Sequence, residues 1–271
     1  MILYFWMMIQ VVCESLPISS SGHVALIIKL VELFQGYNFD QFLIQSLWSF
    51  DYFLQGISAI LILFYFFSAW WNLVVVQPIS FGALKNKDLW LSQVPQVLLF
   101  GLAADGVTFL LWSLDLPSKV KLPLAFGFFI TQMALLSTKF YKEKKDISIW
   151  SWKNGMIVGF IQGCALFPGV SRFATTVAML QYLGYSSKNS FSISFLIQWP
   201  LIVAGSLKGF FALKDPLVLK TILNVPFLVI MIFSAIIAYA LLCFIQKVID
   251  KKMFWSFSIY MFVPIVISLF C

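Results

Sequence analysis

From Glu14 to His23 the chain reads ESLPISSSGH, which places a carboxylate, four serine hydroxyls, a proline, a glycine and the single histidine within ten residues. A second polar stretch, Pro168–Thr176 (PGVSRFATT), holds the single arginine, Arg172, beside the hydroxyls of Ser171, Thr175 and Thr176. Every other positive side chain in the protein is a lysine. An arginine in their place points to a planar fork of donors, the geometry that suits phosphate or carboxylate. The competing role for Arg172 is a structural ion pair with Glu14 or Asp51.

Glu14 has the chemistry either to hold a divalent cation or to accept a proton, or it serves only to neutralise Arg172. Gln10 lies one helical turn earlier on the same face, where it can orient water, a metal or a substrate, or bond within its own segment. His23 follows Ser19, Ser20, Ser21 and Gly22 directly. A neutral imidazole near a hydroxyl suits nucleophile activation or a proton relay, while a lone histidine in an apolar helix also serves as a hydrogen-bonded structural residue. Ser20 is the first choice for nucleophile or phosphate donor, with Ser19 and His23 itself open as alternatives. Asp51, with Gln55 a turn later, and Asp105 in AADGVTF are further acids in apolar surroundings, where ionisable residues are functional candidates.

The surroundings define the problem these residues pose. Of 271 residues, 61% are hydrophobic and 11% charged, against about 25% charged in a soluble domain, and the mean hydropathy is +0.94. This is the composition of a membrane protein in one domain, residues 1–271. A charged side chain costs roughly 2.5–3.5 kcal/mol at the centre of a spanning helix, so two polar interruptions need a reason. Six apolar segments approach the roughly 20 residues a span requires: Tyr52–Trp71, Pro95–Trp112, Leu122–Lys139, Phe191–Leu207, Ile222–Gln246 and Phe254–Cys271. Two further apolar regions, Ile2–Phe34 and Gly155–Leu183, contain the polar stretches, where Pro17 and Pro168 interrupt the helical ladder and Gly22 and Gly169 permit tight turns. Such regions read as re-entrant helix hairpins, tolerated at membrane depth where protein or a water-filled cavity satisfies the backbone.

The net charge of +7 falls on loop lysines, so it speaks for membrane orientation rather than nucleic acid. Lys85 and Lys87, the cluster Lys139, Lys142, Lys144, Lys145 and Lys153, and the cluster Lys247, Lys251 and Lys252 belong inside by the positive-inside tendency. Both termini, Gln35–Ser49 and Lys208–Thr221 then lie outside, and the two hairpins enter from opposite sides. The chain becomes an inverted repeat of about residues 1–140 and 141–271, each a hairpin plus three spans. Ile9-Gln10, Cys13 and Pro17-x-x-Ser20 are echoed by Ile161-Gln162, Cys164 and Pro168-x-x-Ser171. Inverted repeats place their site near the midplane at the repeat interface. Cys13, Cys164, Cys243 and Cys271 form no CxxC pair, so neither a disulfide nor a cysteine metal site is expected. Met1–Val12 lacks the basic start and the cleavage site of a signal peptide.

These stretches resemble the undecaprenyl-diphosphate phosphatase family, the bacitracin-resistance type of membrane phosphatase. Gln10-Val-Val-Cys-Glu14-Ser-Leu-Pro17-Ile-Ser19-Ser20-Ser21-Gly22-His23 is similar to its (E/Q)xxxE…LPxSSxGH signature, and Pro168–Thr176 to its PGxSRSGAT signature. Phe50–Gly56 resembles the family's first full span, and Phe191–Leu196 with Pro200 its next landmark. The likeness covers nearly the whole chain. Phe173-Ala174 replaces the usual Ser-Gly, and Ser21 a threonine. The lost hydroxyl at Phe173 bears on rate or substrate preference more than on fold.

The resemblance implies release of the terminal phosphate from a C55 polyprenyl diphosphate in the bacterial cytoplasmic (inner) membrane, at a site open to the outer side. In that reading Arg172, Ser171, Thr176 and the Gly169 backbone receive the diphosphate, together with Ser19 and Ser21. Ser20 and His23 supply nucleophile and base. Glu14 and Gln10 hold Mg2+ or Ca2+. A homodimer is one assembly open to such a chain. The second reading is a transporter or flippase of an anionic prenyl phosphate lipid, since opposed hairpins are common in transporters. A binding pocket has less use for the Ser-Ser-x-Gly-His run than a hydrolase has.

Overall fold

A computed structural model describes residues 2–35, 41–71, 88–114, 119–141, 151–212 and 224–270, with no strand among them. The loop lysines Lys85, Lys87, Lys142, Lys144 and Lys145, much of 208–221, and Cys271 lie outside these residues. The helices in chain order are α1 (Ile2–Glu14), α2 (Ser20–Gln35), α3 (Gln41–Trp71), α4 (Asp88–Ser113) and α5 (Leu124–Ser137), the last followed by a 3₁₀ turn, Thr138–Phe140. Then come α6 (Trp152–Cys164), α7 (Arg172–Tyr182), α8 (Ser187–Ala212), α9 (Val225–Asp250), a 3₁₀ turn Phe254–Ser256, α10 (Phe257–Tyr260) and α11 (Phe262–Phe270).

Four of the expected spans are helices long and apolar enough to cross a membrane: Phe50–Trp71 within α3, Gln96–Ser113 within α4, Ser187–Ala212 and Val225–Asp250. The other two are shorter apolar helices, Leu124–Phe140 and Phe254–Phe270. The last is broken at Met261, because Pro264 has no N–H for the carbonyl of Tyr260 and its ring crowds that carbonyl. α3 begins at Gln41, so 41–49, which the sequence reading leaves in an outer segment, belongs to the helix.

Both polar stretches end one helix and start another. After Glu14, the N–H groups of Ser15 and Leu16 reach back only three residues, to Val12 and Cys13, and Pro17 then has none to offer. After Cys164, the N–H groups of Ala165, Leu166 and Phe167 do the same, to Gln162, Gly163 and Cys164, before Pro168. Each tightened turn leads to a serine that caps the next helix.

Between apolar helices in lipid, close backbone approach and hydrogen bonds replace the hydrophobic drive. Gly155, Gly159 and Gly163 form a small-xxx-small stripe on α6 that lies against α4. A Cβ at Gly159 would fall 2.8 Å from Ala104 Cα, and one at Gly155 3.1 Å from Phe100 Cα. α3 and α8 are joined by indole donors, Trp70 Nε1 to Ser192 O and Trp199 Nε1 to Ala59 O, both 3.0 Å. Around this pair lies a buried aromatic core in which Phe66 meets Phe195 at 4.9 Å and Phe191 at 5.0 Å. Further contacts run between α1 and α9, α5 and α11, α5 and α7, α2 and α11, α3 and α9, and α4 and α8.

Candidate active site

The two polar stretches meet. Gly22 and Gly169 stand backbone to backbone, so that a Cβ on Gly22 would lie 2.6 Å from Gly169 Cα and 2.7 Å from the Phe128 ring. Gly169 has φ +90°, a conformation that side chains other than glycine's disfavour.

Ser19 and Ser171 cap α2 and α7 in the same way. Ser19 Oγ accepts from Gly22 N at 3.3 Å, and Ser171 Oγ from Ala174 N at 3.3 Å. Ser19 adopts φ +67°, which is uncommon for a residue with a side chain. The first turns of both helices line a shared cavity of about 150 Å³, whose lining includes Ser19, Ser20, Ser21, Ser171, Arg172 and Phe173. Helix N-termini carry partial positive charge and unbonded N–H groups, so this cavity favours an anion.

Gln10, Glu14, Asp51, Tyr52, Gln55 and Gln198 add to its polar lining. Ser20 Oγ donates to Glu14 Oε2 at 2.8 Å, and Gln10 Nε2 donates to the same oxygen at 3.4 Å. The serine named as first choice for nucleophile therefore bonds a carboxylate. Arg172 Nε is buried and has no hydrogen-bond partner among the described residues. Glu14 and Asp105 are both near enough for their charges to act on it, although Asp105 does not line this cavity.

Three expected site residues lie elsewhere. His23 does not meet the Ser20 hydroxyl. Its Nδ1 is 2.8 Å from Ser19 O and its Nε2 is 2.9 Å from Tyr260 Oη. A carbonyl only accepts, so Nδ1 carries the proton, and Nε2 of the neutral ring accepts from the tyrosine. The imidazole thus holds the Ser19 bend from behind, edge-on to Phe128 with ring centres 5.3 Å apart. Gly169 also sits behind the lining, its carbonyl accepting from Thr131 Oγ1 at 2.7 Å. Thr176 is fully buried on the core side of α7, and its hydroxyl has no partner among the described residues. Phe173, the departure from the family signature, points into the aromatic core, 4.7 Å from Phe195 and 5.6 Å from Phe191 and Phe254.

Sequence reasoning missed the residues that brace the site. Thr131 donates to Gly169 O and accepts from Ser171 N at 2.8 Å. Tyr260 holds His23, and Gln198 lines the cavity. Their signal was available: each is a polar side chain inside an apolar segment.

A divalent cation asks for oxygen ligands and few protein groups when phosphates supply the rest. Gln10 Oε1 is buried without a partner among the described residues and stands beside the Glu14 carboxylate, so this donor pair fits such an ion.

Four helices long and apolar enough to cross a membrane, with no strand among the described residues, make this a multi-pass membrane protein. The sequence model described as bacitracin resistance protein BacA matches residues 4–267, and the chain belongs to that family. A relative from Kineococcus radiotolerans named undecaprenyl-diphosphatase is 28% identical, over 93% of this chain and 86% of its own length. Relatives of the same name from Halothermothrix orenii and Vesicomyosocius okutanii are 29% and 30% identical over 93% of this chain, covering 90% and 92% of theirs.

Proposed function

We propose that this chain is a membrane phosphatase that hydrolyses undecaprenyl diphosphate to undecaprenyl phosphate and inorganic phosphate, so returning a lipid carrier to cell-wall synthesis. The observation that carries the mechanism is the 2.8 Å hydrogen bond from Ser20 to Glu14. A hydroxyl bonded to a carboxylate is a nucleophile with its base in place. That pairing favours cleavage over transport, since binding an anionic lipid needs the arginine but not the pair.

The terminal phosphate lies at the two helix N-termini, with the Arg172 fork on its non-bridging oxygens. Ser20 Oγ attacks the terminal phosphorus as Glu14 takes its proton, the bridging P–O bond breaks, and prenyl phosphate leaves with its electron pair. Glu14 passes that proton to the departing prenyl phosphate. Ionised again, it takes a proton from the water that attacks the phosphoserine and returns it to Ser20 Oγ as the P–Oγ bond breaks and inorganic phosphate leaves. Charge spreading over the transferring phosphoryl group is met by donors already in position, the main contribution such a site makes. Glu14 and Gln10 Oε1 would hold Mg2+ or Ca2+, which when bound neutralises charge on the diphosphate.

This reading also gives the chain six spans, comprising the four long helices with Leu124–Phe140 and Phe254–Phe270, and two opposed re-entrant hairpins, α1–α2 and α6–α7. It places the chain in the inner membrane with both termini outside and the site open to that side. The loop lysines support it. So does the packing: exchanging α1, α2, α3, α4 and α5 with α6, α7, α8, α9 and α11 turns the α4–α6 contact into α9–α1, α5–α7 into α11–α2 and α3–α9 into α8–α4, while α3–α8 and α5–α11 map onto themselves.

The test is phosphate release from undecaprenyl diphosphate in detergent with either divalent ion. Glu14→Gln and Ser20→Ala should abolish most of it. Arg172→Lys, which keeps the charge but loses the fork, should lower it about 10²–10³-fold. Folded wild-type protein that releases no phosphate would sink the proposal.

A further inference from the structure

A second cavity, of about 290 Å³, lies between α3, α4 and α8 and shares Tyr52, Gln55, Leu166 and Arg172 with the phosphate cavity. Its remaining wall is largely apolar, with Phe109 and Trp112 from α4 and Leu201 and Ala204 from α8. The Thr108 hydroxyl in this wall is already committed to the carbonyls of Ala104 and Gly159, each at 2.9 Å. At its rim Lys208 lies over two rings, 4.6 Å from the centre of Trp112 and 5.4 Å from that of Tyr52. This cation–π clamp ties α8 to α4 and α3.

In this wall α8 presents small residues, Ala204 and Gly205, and packs closely on α3. A Cβ on Gly205 would lie 2.6 Å from Gln55 Oε1. Arg172 stands at the junction of the two chambers, so a phosphate gripped by its fork has the polar chamber on one side and the apolar chamber on the other. The second phosphate of a diphosphate, and the prenyl group esterified to it, then have the apolar space to continue into.

Resting on the phosphatase reading, we propose that this α3–α4–α8 cavity seats the phosphate-proximal isoprene units of the substrate, with the Tyr52–Lys208–Trp112 clamp as its rim. The cavity is far too small for a 55-carbon chain, so the remainder passes over that rim into the bilayer. Recognition is then set by the first few units, and chain length beyond them adds little.

The experiment compares phosphate release from methyl diphosphate, with no isoprene unit, and farnesyl diphosphate, with three. Wild type and Ala204→Phe are measured in detergent. Filling the seat with phenylalanine should raise KM for farnesyl diphosphate at least ten-fold and leave kcat/KM for methyl diphosphate within about two-fold. An unchanged KM for farnesyl diphosphate, or an equal loss on both substrates by folded protein, overturns the assignment. A farnesyl diphosphate analogue carrying a photoreactive group on its first isoprene unit gives an independent reading on wild-type protein, whether or not Ala204→Phe folds. Adducts at 109–112 or 201–208 support the seat, and adducts confined to other segments overturn it. Failure of wild type to release phosphate from any prenyl diphosphate would instead remove the phosphatase reading, an outcome the photoadduct map keeps separate.

Discussion

His23 shows how a residue can be legible as important while its work is not. The run Ser19-Ser20-Ser21-Gly22-His23 suggests a serine–imidazole pair, but α2 begins at Ser20 and carries the ring away from the cavity. The imidazole instead joins Ser19 O to Tyr260 Oη. Holding a non-glycine residue at φ +67° costs of order 1–3 kcal/mol, and this bond with the Gly22 N–H contact maintains the bend. In the proposed reaction we therefore assign His23 a positioning role. His23→Ala and Tyr260→Phe should each lower thermal stability in detergent and reduce phosphate release, and should couple by about 0.5–3 kcal/mol in a double-mutant cycle. The pH–rate profile of either variant should keep the shape of the wild type. Loss of one limb of that profile in His23→Ala would show that the ring moves a proton in the reaction, and the positioning role would then fail. Glu14, by contrast, lines the cavity and receives the Ser20 hydroxyl. Its partner was open because backbone turns, not spacing in the chain, decide which serine reaches it.

Among the elements, apolar length and lysine-bearing loops revealed where helices lie, and the two prolines revealed where they stop. What could not be read was how the helices touch. The Gly155-xxx-Gly159-xxx-Gly163 stripe is visible once looked for, yet its partner, Phe100 to Leu111 on α4, is a fact of tertiary packing. Likewise Thr131 looks like one hydroxyl in an apolar helix until Gly169 O and Ser171 N are found at either side of it. The contact that makes one site of two stretches is Gly22 against Gly169. A methyl group there meets backbone atoms, which cannot rotate aside, so Gly22→Ala should destabilise the protein by about 1–3 kcal/mol. It should also lower phosphate release by separating the two capped helix ends. Gly101→Ala is the matched control, because a Cβ at Gly101 meets nothing within 4 Å and alanine favours a helix interior. Equal melting temperatures and rates for Gly22→Ala and wild type would mean that the hairpins do not need this contact.

For the whole molecule, the pairing of helices says more than the weak sequence echo between the halves. The exchange pairs α4–α6 with α9–α1 and maps α3–α8 and α5–α11 onto themselves, while α7–α8 and α1–α3 have no comparable counterpart among the described residues. The inverted repeat proposed above, with its axis in the membrane plane, would produce these matches together. It also fixes the direction of every segment, because the operation that exchanges the halves reverses inside and outside. The chain leaves the first hairpin at the end of α2 and the second at the end of α7, so the proposed repeat puts these two ends on opposite sides. Phe34 and Tyr182 mark them, 79% and 71% exposed. In protein whose native cysteines are replaced by alanine, Phe34→Cys should react with a membrane-impermeant thiol reagent in intact cells. Tyr182→Cys should react only after the membrane is opened. Labelling of both from the same side would rule out opposed hairpins. Labelling with the sides exchanged would keep the repeat but turn the site inward, where it would meet diphosphate lipid on the other leaflet.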